Sequence, residues 1–424
     1  MTGGSWAAAA LVCLHLGSLG ALPPEVRTDG VRAYATGEQP LRVLIAGGAS
    51  SALLRPNAPV AVRDPSGKQL GVVKAGATIA ASPAAGGVRL KAGRLQFTGP
   101  SLAIVPSTAG GGVTVSFEGG WGRRGFYPGA VEIGRAGSAL RVIESVCLET
   151  YVAGVVASEM PSSFPLEAMK AQAIAARTYA LYHLGAHGTE GADLCGSVHC
   201  QAYAGQAKGD SRAARAARET AGQVVTYDGL LVDAMYSAAC GGETSTAWEV
   251  RQGKLLPYLV GEPDSDGGDA YCGRDHDVTW TRRYSRAEAE KLVRANLATV
   301  LSDPGVRPGK LNGLELVADP ATGRAQWLKV LTANGTYQVR GDATRWLFGS
   351  GRPGPAGLRS TAFGLATKTD ASGRPTAFVF TGRGHGHGIG LCQWGSRGRA
   401  MAGQTAEEIV AAYYRGATVV DLSQ

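Results

Sequence analysis

Glu159 closes an apolar run, Val155-Val156-Ala157-Ser158, and stands directly before Met160-Pro161. The run has helical character, and the proline stops it by driving the preceding residue out of the α region. A carboxylate at a helix C-terminus meets the negative end of the macrodipole, and partial burial beside Val155, Val156 and Met160 disfavours its charge. Both effects favour the protonated acid, which can donate to a leaving oxygen. An ordinary surface helix end carries the same residue type, so position alone leaves structure and catalysis both open.

Three other groupings have the side chains for chemistry. Lys170 and Arg177 are seven residues apart on the next helix, hence on one face. They could aim two cations at an anionic sugar or at Glu159, or simply form a solvated basic face. Gly382-Arg383-Gly384-His385-Gly386-His387-Gly388-Ile389-Gly390 sets two imidazoles two residues apart, on one side of an extended chain that a ligand can approach closely. It lacks the Lys-Ser/Thr of a phosphate loop. His187, which His183 could replace, Cys195, His199 and Cys200 fall within one short segment and have the ligand types of a tetrahedral zinc site, with a Cys195–Cys200 disulfide as the competing use. Cys240 and Cys272 are candidates for a further disulfide.

The elements that must position these groups are of two kinds. From about Leu41 to Val146, short alternating runs such as Val113-Thr114-Val115-Ser116-Phe117 are separated by Gly and Pro, the pattern of a mostly β region. Gly110-Gly111-Gly112 reads as a turn within it. From Leu148 the pattern becomes helical to Glu159. An Ala-rich helix then runs from Leu166 to Leu181, with Ser162 or Ser163 as cap and Pro165 in the first turn. Strand-like pieces follow at Val224–Tyr227 and Leu231–Tyr236, a helix at Ser285–Leu297, and strands at Leu328–Leu331 and Tyr337–Arg340. The last helix, Glu407–Tyr414, has a Thr405/Glu408 capping box and Gly416 beyond its end. The expected fold class is α+β.

At 424 residues the chain has room for two domains, or for one large domain with an insertion. Its net charge of +8 and pI near 9.1 draw it towards polyanions. No dense basic run with interleaved aromatics marks a nucleic-acid module, so anionic wall polymers are the better match and no nucleic-acid partner is expected. Residues 1–21, with the apolar run Ala7–Leu14 closed by small residues before Pro23-Pro24, read as a secretory signal shorter than a membrane span. The expectation is a secreted, periplasmic or wall-associated protein, with no membrane association once the signal is removed.

Three blocks, taken together, resemble the stage II sporulation protein D family of peptidoglycan lytic transglycosylases and amidase enhancers. They are Leu148–Pro161 running on to Ala175-Ala176-Arg177-Thr178-Tyr179-Ala180, then Tyr236-Ser237-Ala238-Ala239-Cys240-Gly241-Gly242-Glu243-Thr244, and Gly384–Gly395 with its Gly-His-Gly-His-Gly core. The resemblance spans roughly 140–420. It implies a mixed α+β catalytic domain at 140–424 with Ala-rich helices and a sugar-binding groove, after a small, mostly β region at 22–139. It implies Glu159 as catalytic acid/base, with Lys170 and Arg177 supporting substrate binding. Tyr236, Ser237, Thr244, His385, His387 and Gln393 would then line the groove. Cofactor-free cleavage of glycan strands at the MurNAc-GlcNAc bond, leaving 1,6-anhydro ends, is the expected activity. One glutamate can serve as acid and then base, whereas a hydrolase needs a second carboxylate and none is obvious in these blocks. A non-catalytic, wall-binding amidase enhancer working beside a cell-wall amidase is the alternative. The resemblance also suggests a structural zinc in some members at the Cys195-His199-Cys200 cluster. A zinc hydrolase built on His385 and His387 lacks a third ligand and a general base.

Overall fold

Alternation of buried and exposed side chains builds the first half of the molecule: along Ser51–Pro56, Ala52, Leu54 and Pro56 face inward while Leu53 and Arg55 face solvent. The computed structural model describes residues 25–423 apart from 208, 210, 248–254, 275–276, 321 and 350–356. The expected leader, residues 1–21, lies outside the described residues. Two antiparallel sheets pack face to face here. One runs in the order Trp121–Gly122, Leu41–Ala49, Ala139–Val146, Ala130–Ala136, Ser101–Pro106, Val60–Arg63, Gln69–Val73, and the other in the order Gly125–Tyr127, Val113–Glu118, Ser51–Pro56, Ile79–Ala84, Gly87–Ala92, Leu95–Gly99. Val131, Ile133, Leu140 and Val142 of the first share a core with Leu54, Ile79, Val88 and Leu90 of the second.

Ala139–Val146 is a central strand of the first sheet, so the β region continues through Val146. The two regions are also stitched together further on: Leu194–Cys195 adds in parallel to Leu41–Ala49. That pairing fixes the Cys195–Cys200 segment on the sheet.

Helix α1 (Leu148–Glu159) ends where expected. Met160 is extended, with φ −118° and ψ 140°, because Pro161 follows it. Helix α2 (Leu166–Tyr182) is buried on nearly every side, with Ala168, Ala171, Ala173, Ala175, Ala176 and Ala180 allowing close approach of α1 and its other neighbours. Pro165 is the N-cap of α2 with ψ 149°, one position earlier than the sequence suggests, and neither serine caps it. Helix α3 (Arg212–Glu219) packs on both. The expected strand over Leu231–Tyr236 is interrupted. Only its ends pair, Leu230–Leu231 with Gln223–Tyr227 and Tyr236–Ser237 with Leu391–Cys392.

Residues 279–383 form a unit with its own core of Trp280, Val293, Leu297, Leu328, Phe378 and Phe380. It has two three-stranded sheets and helix α4 (Arg286–Val300), capped by a reciprocal Ser285/Glu288 box. After Tyr236–Ser237 the chain stays in the main body, where Cys240, Tyr258, Leu259 and Cys272 join its core, before entering this unit at Thr279 and returning through the Gly-His segment to Leu391–Cys392. It then forms helix α5 (Gln393–Met401) and helix α6 (Ala406–Tyr413), the latter closed by the Thr405/Glu408 box. Helices hold 24% and strands 40% of the described residues, so the fold is α+β. No helix among the described residues is long and apolar enough to cross a membrane.

Candidate active site

The C-terminal turn of α1 delivers Glu159, half-buried, into a cleft of about 510 Å³. Its Oε1 accepts the backbone N–H of Ala202 at 2.7 Å, and the Tyr236 hydroxyl donates to the same oxygen from 3.5 Å. Gln393 Nε2 approaches Oε2 at 3.4 Å. The Tyr236 hydroxyl accepts from Gln201 Nε2 at 3.1 Å, which leaves its own proton for Glu159, and Gln201 Oε1 accepts the Tyr151 hydroxyl at 3.1 Å. Burial pushes the carboxyl up from its ordinary pKa. The Ala202 N–H, Gln393, the charge of Arg123 and Tyr236 each pull it back, and burial wins. The result is a carboxylic acid that keeps its proton longer than a surface glutamate and has donors ready for the carboxylate once the proton leaves.

Three parts of the chain wall the cleft. The β region contributes Arg123. The central body contributes Tyr179, Tyr236, Ser237, His385, His387 and Gln393. The 279–383 unit contributes Asp342, Arg345 and Trp346. Asp342 is ion-paired to Arg345 Nη1 at 2.7 Å, and that guanidinium lies 4.3 Å from the Trp346 ring. The glycines of the Gly-His segment are required by close approach: a Cβ on Gly390 would lie 2.0 Å from the Met235 carbonyl, and one on Gly386 2.8 Å from the Ser237 Cβ. Ser237 Oγ accepts the Gly388 N–H at 3.2 Å, tying this segment to the strand that carries Tyr236.

The structure thus brings together Glu159, Tyr236, Ser237, His385, His387 and Gln393, but three of the expected substrate-binding residues stand elsewhere. Arg177 is fully buried, with Nε and Nη2 on the two carboxylate oxygens of Glu149 and Nη1 on the Gln223 carbonyl. It pins α1, α2 and the following strand together. Lys170 bonds Glu167 at 2.9 Å and Glu219 at 2.8 Å, bridging α2 to α3. Thr244 is buried, its hydroxyl accepting the Glu262 N–H at 2.9 Å. Helical spacing correctly put Lys170 and Arg177 near one face, but that face meets α3 and not the cleft. Arg123 reaches the cleft from the β region and Trp346 from the 279–383 unit, both far from Glu159 in sequence. No local pattern marks either.

His187, Cys195, His199 and Cys200 converge, with one ligand atom from each within 4.8 Å of the others. His187 Nε2 lies 3.3 Å from His199 Nδ1, which is 3.7 Å from Cys195 Sγ and 3.5 Å from Cys200 Sγ. Ligands about 2.0–2.3 Å from a tetrahedral zinc are separated by roughly 3.3–3.8 Å, so the donor set fits that ion. Glu190 faces His187 Nδ1 at 3.5 Å and leaves Nε2 turned to the cluster. His199 and Cys200 also line the cleft.

A family model described as Stage II sporulation protein matches residues 136–227, and one described as a domain of unknown function (DUF8618) matches 272–390. An uncharacterized protein of Brachyspira hyodysenteriae is 30% identical over 285 residues, 67% of this chain and 69% of that one. Stage II sporulation protein D of Bacillus subtilis is 29% identical over 299 residues, 66% of this chain and 77% of its own length. The Amidase enhancer of Bacillus subtilis is 25% identical over 295 residues, which covers 63% of this chain and 40% of that protein.

Proposed function

The chain belongs to the stage II sporulation protein D family, and on that premise we propose that it is a peptidoglycan lytic transglycosylase with Glu159 as general acid and then base. The observation that carries this reading is a half-buried, proton-retaining glutamate in a cleft where, among the described residues, the other lining carboxylate, Asp342, is held by Arg345. Protonated Glu159 donates to the oxygen between the MurNAc C1 and the GlcNAc leaving group. Its carboxylate then takes the proton of the same MurNAc's 6-hydroxyl, O6 bonds to C1, and a 1,6-anhydro end forms. The proton returns to Glu159 and water is not consumed.

The Ala202 N–H, Gln393 and Tyr236 stabilise the transient carboxylate, and Arg123 supplies a positive field. Trp346 offers an aromatic face to a sugar ring, and His385 and His387 offer polar contacts from the same cleft. An ion held by His187, Cys195, His199 and Cys200 would have four protein ligands and no open position, a structural zinc. Its role would be to stiffen the segment that ends at Ala202. The positive net charge suits an anionic wall, and the leader-like N-terminus supports action outside the cytoplasm.

The second reading is a wall-binding stimulator of a cell-wall amidase, which the name of the Bacillus subtilis Amidase enhancer favours. The test is mass spectrometry of soluble products from peptide-free and intact glycan strands, with the mature protein and Glu159→Gln. Anhydro-muramic ends lost in the variant support the transglycosylase. Binding without product from either protein favours the stimulator.

A further inference from the structure

Away from the cleft, Cys240, Asp264, Cys272 and Cys392 meet in the interior, all four buried, with one ligand atom from each within 4.8 Å of the others. Cys240 Sγ lies 3.8 Å from Cys272 Sγ and 3.2 Å from Asp264 Oδ2. Two thiolates on one tetrahedral zinc, each about 2.3 Å from it, stand roughly 3.8 Å apart. Backbone N–H groups point at the sulfur of Cys392, from Cys240 at 3.2 Å and from Gly395 at 3.1 Å. The other oxygen of Asp264 accepts from Arg399 Nε at 3.0 Å, and the Tyr413 hydroxyl lies 3.0 Å from both carboxylate oxygens. These are the outer contacts that orient a carboxylate and thiolate ligand set and spread its charge.

We propose that Cys240, Cys272, Cys392 and Asp264 form a second, closed site for a soft divalent cation of the zinc class, built to hold the floor of the cleft. Three thiols and a carboxyl buried together against one guanidinium need either protons or a metal, and a metal displaces the protons. Three sulfurs and one oxygen select zinc over calcium or magnesium, which take oxygen ligands. A Cys240–Cys272 disulfide would use two of the four groups and leave Cys392 and Asp264, with all their fixed donors, without a role. A tetrahedral ion uses every one. The site joins the strand carrying Tyr236 and Ser237 to the residue before Gln393, and ties both to the 264–272 loop. Losing the ion would loosen two of the side chains that contact Glu159.

The test uses the mature full-length chain with a tag that does not bind metals, in a Cys195→Ser/Cys200→Ser background so that the other cluster contributes no thiolate. Elemental analysis should find about one zinc per chain. Replacing it with cobalt(II) should give the strong visible bands of tetrahedral thiolate coordination. Cys392→Ser should lose the metal. Asp264→Asn, which keeps the three thiols and the packing, should bind cobalt at least tenfold more weakly while retaining its far-ultraviolet circular dichroism. After chelation in denaturant, four thiols should titrate, the three of the site and the exposed Cys147. A metal-free protein yielding a Cys240–Cys272 disulfide peptide would overturn the proposal, as would a metal-free protein with all three thiols reduced.

Discussion

The backbone N–H of Ala202 and the carboxylate of Glu159 meet at 2.7 Å, the shortest of the contacts that hold this side chain. Ala202 follows Cys200 of the His/Cys cluster by two residues, so the partner of the candidate acid is set by a segment pinned to the β sheet through Leu194–Cys195. Glu159→Gln keeps the shape of the side chain and removes the proton donor. Product formation should fall by about 10²–10⁴-fold, as expected when a general acid is lost, while glycan binding measured by strand pull-down should change little.

Because the acid must be protonated to act, activity should decline as pH rises through the elevated Glu159 pKa. Arg123 favours the charged form, so Arg123→Gln should raise that pKa further and move the alkaline limb to higher pH. A pH–rate profile of both proteins checks this. A limb that stays in place would show that Arg123 does not bias the reacting carboxyl.

Glu144 offers a stability counterpart. It is fully buried, bonded to the Gly129 N–H and the Tyr203 hydroxyl, and burial pushes its pKa from 4.5 to about 7. A folded-state pKa above the unfolded one means that the native chain holds the extra proton. Stability should therefore fall as pH rises from about 4.5 to about 7 and level off above that, by on the order of 3 kcal/mol at most. Thermal melts from pH 5 to pH 8 should show the decline, and Glu144→Gln should flatten this contribution.

Arg177 and Lys170 should separate fold from catalysis. Arg177→Met removes the guanidinium from Glu149 and from the Gln223 carbonyl and should lower stability by roughly 1–3 kcal/mol in chemical denaturation. Lys170→Ala removes partly exposed bridges and should cost less than about 1 kcal/mol. Product formation per folded molecule should be nearly unchanged in Lys170→Ala, which would distinguish a helix bridge from a substrate contact.

Trp346→Ala tests the contribution of the 279–383 unit to the groove. Removing one stacking face should raise KM for glycan strands by about tenfold, a loss near 1.4 kcal/mol, with a smaller change in kcat. An equal fall in kcat with KM unchanged would instead place Trp346 in the bond-breaking step.

Much of this was legible in the chain itself, wherever the determinant is local. Pro161 ends α1 immediately after Glu159, and the Ser285/Glu288 and Thr405/Glu408 boxes mark two helix starts. Alternation marks the β region, and the Gly-His segment carries the glycines that its close approaches require. Which cations face the cleft was not local. Helical spacing groups Lys170 with Arg177, but the packing of α1 and α3 against α2 decides that Arg177 is taken up by Glu149 and Lys170 by Glu219. Arg123, Trp346 and the Ala202 N–H enter the site from segments far apart in sequence. So do the four groups around Cys240. Local sequence determines where a helix stops and which side chain it presents there, because backbone sterics and capping act over a few residues. Partners are chosen by the tertiary fold, since contact between distant segments depends on how separately formed sheets and helices pack.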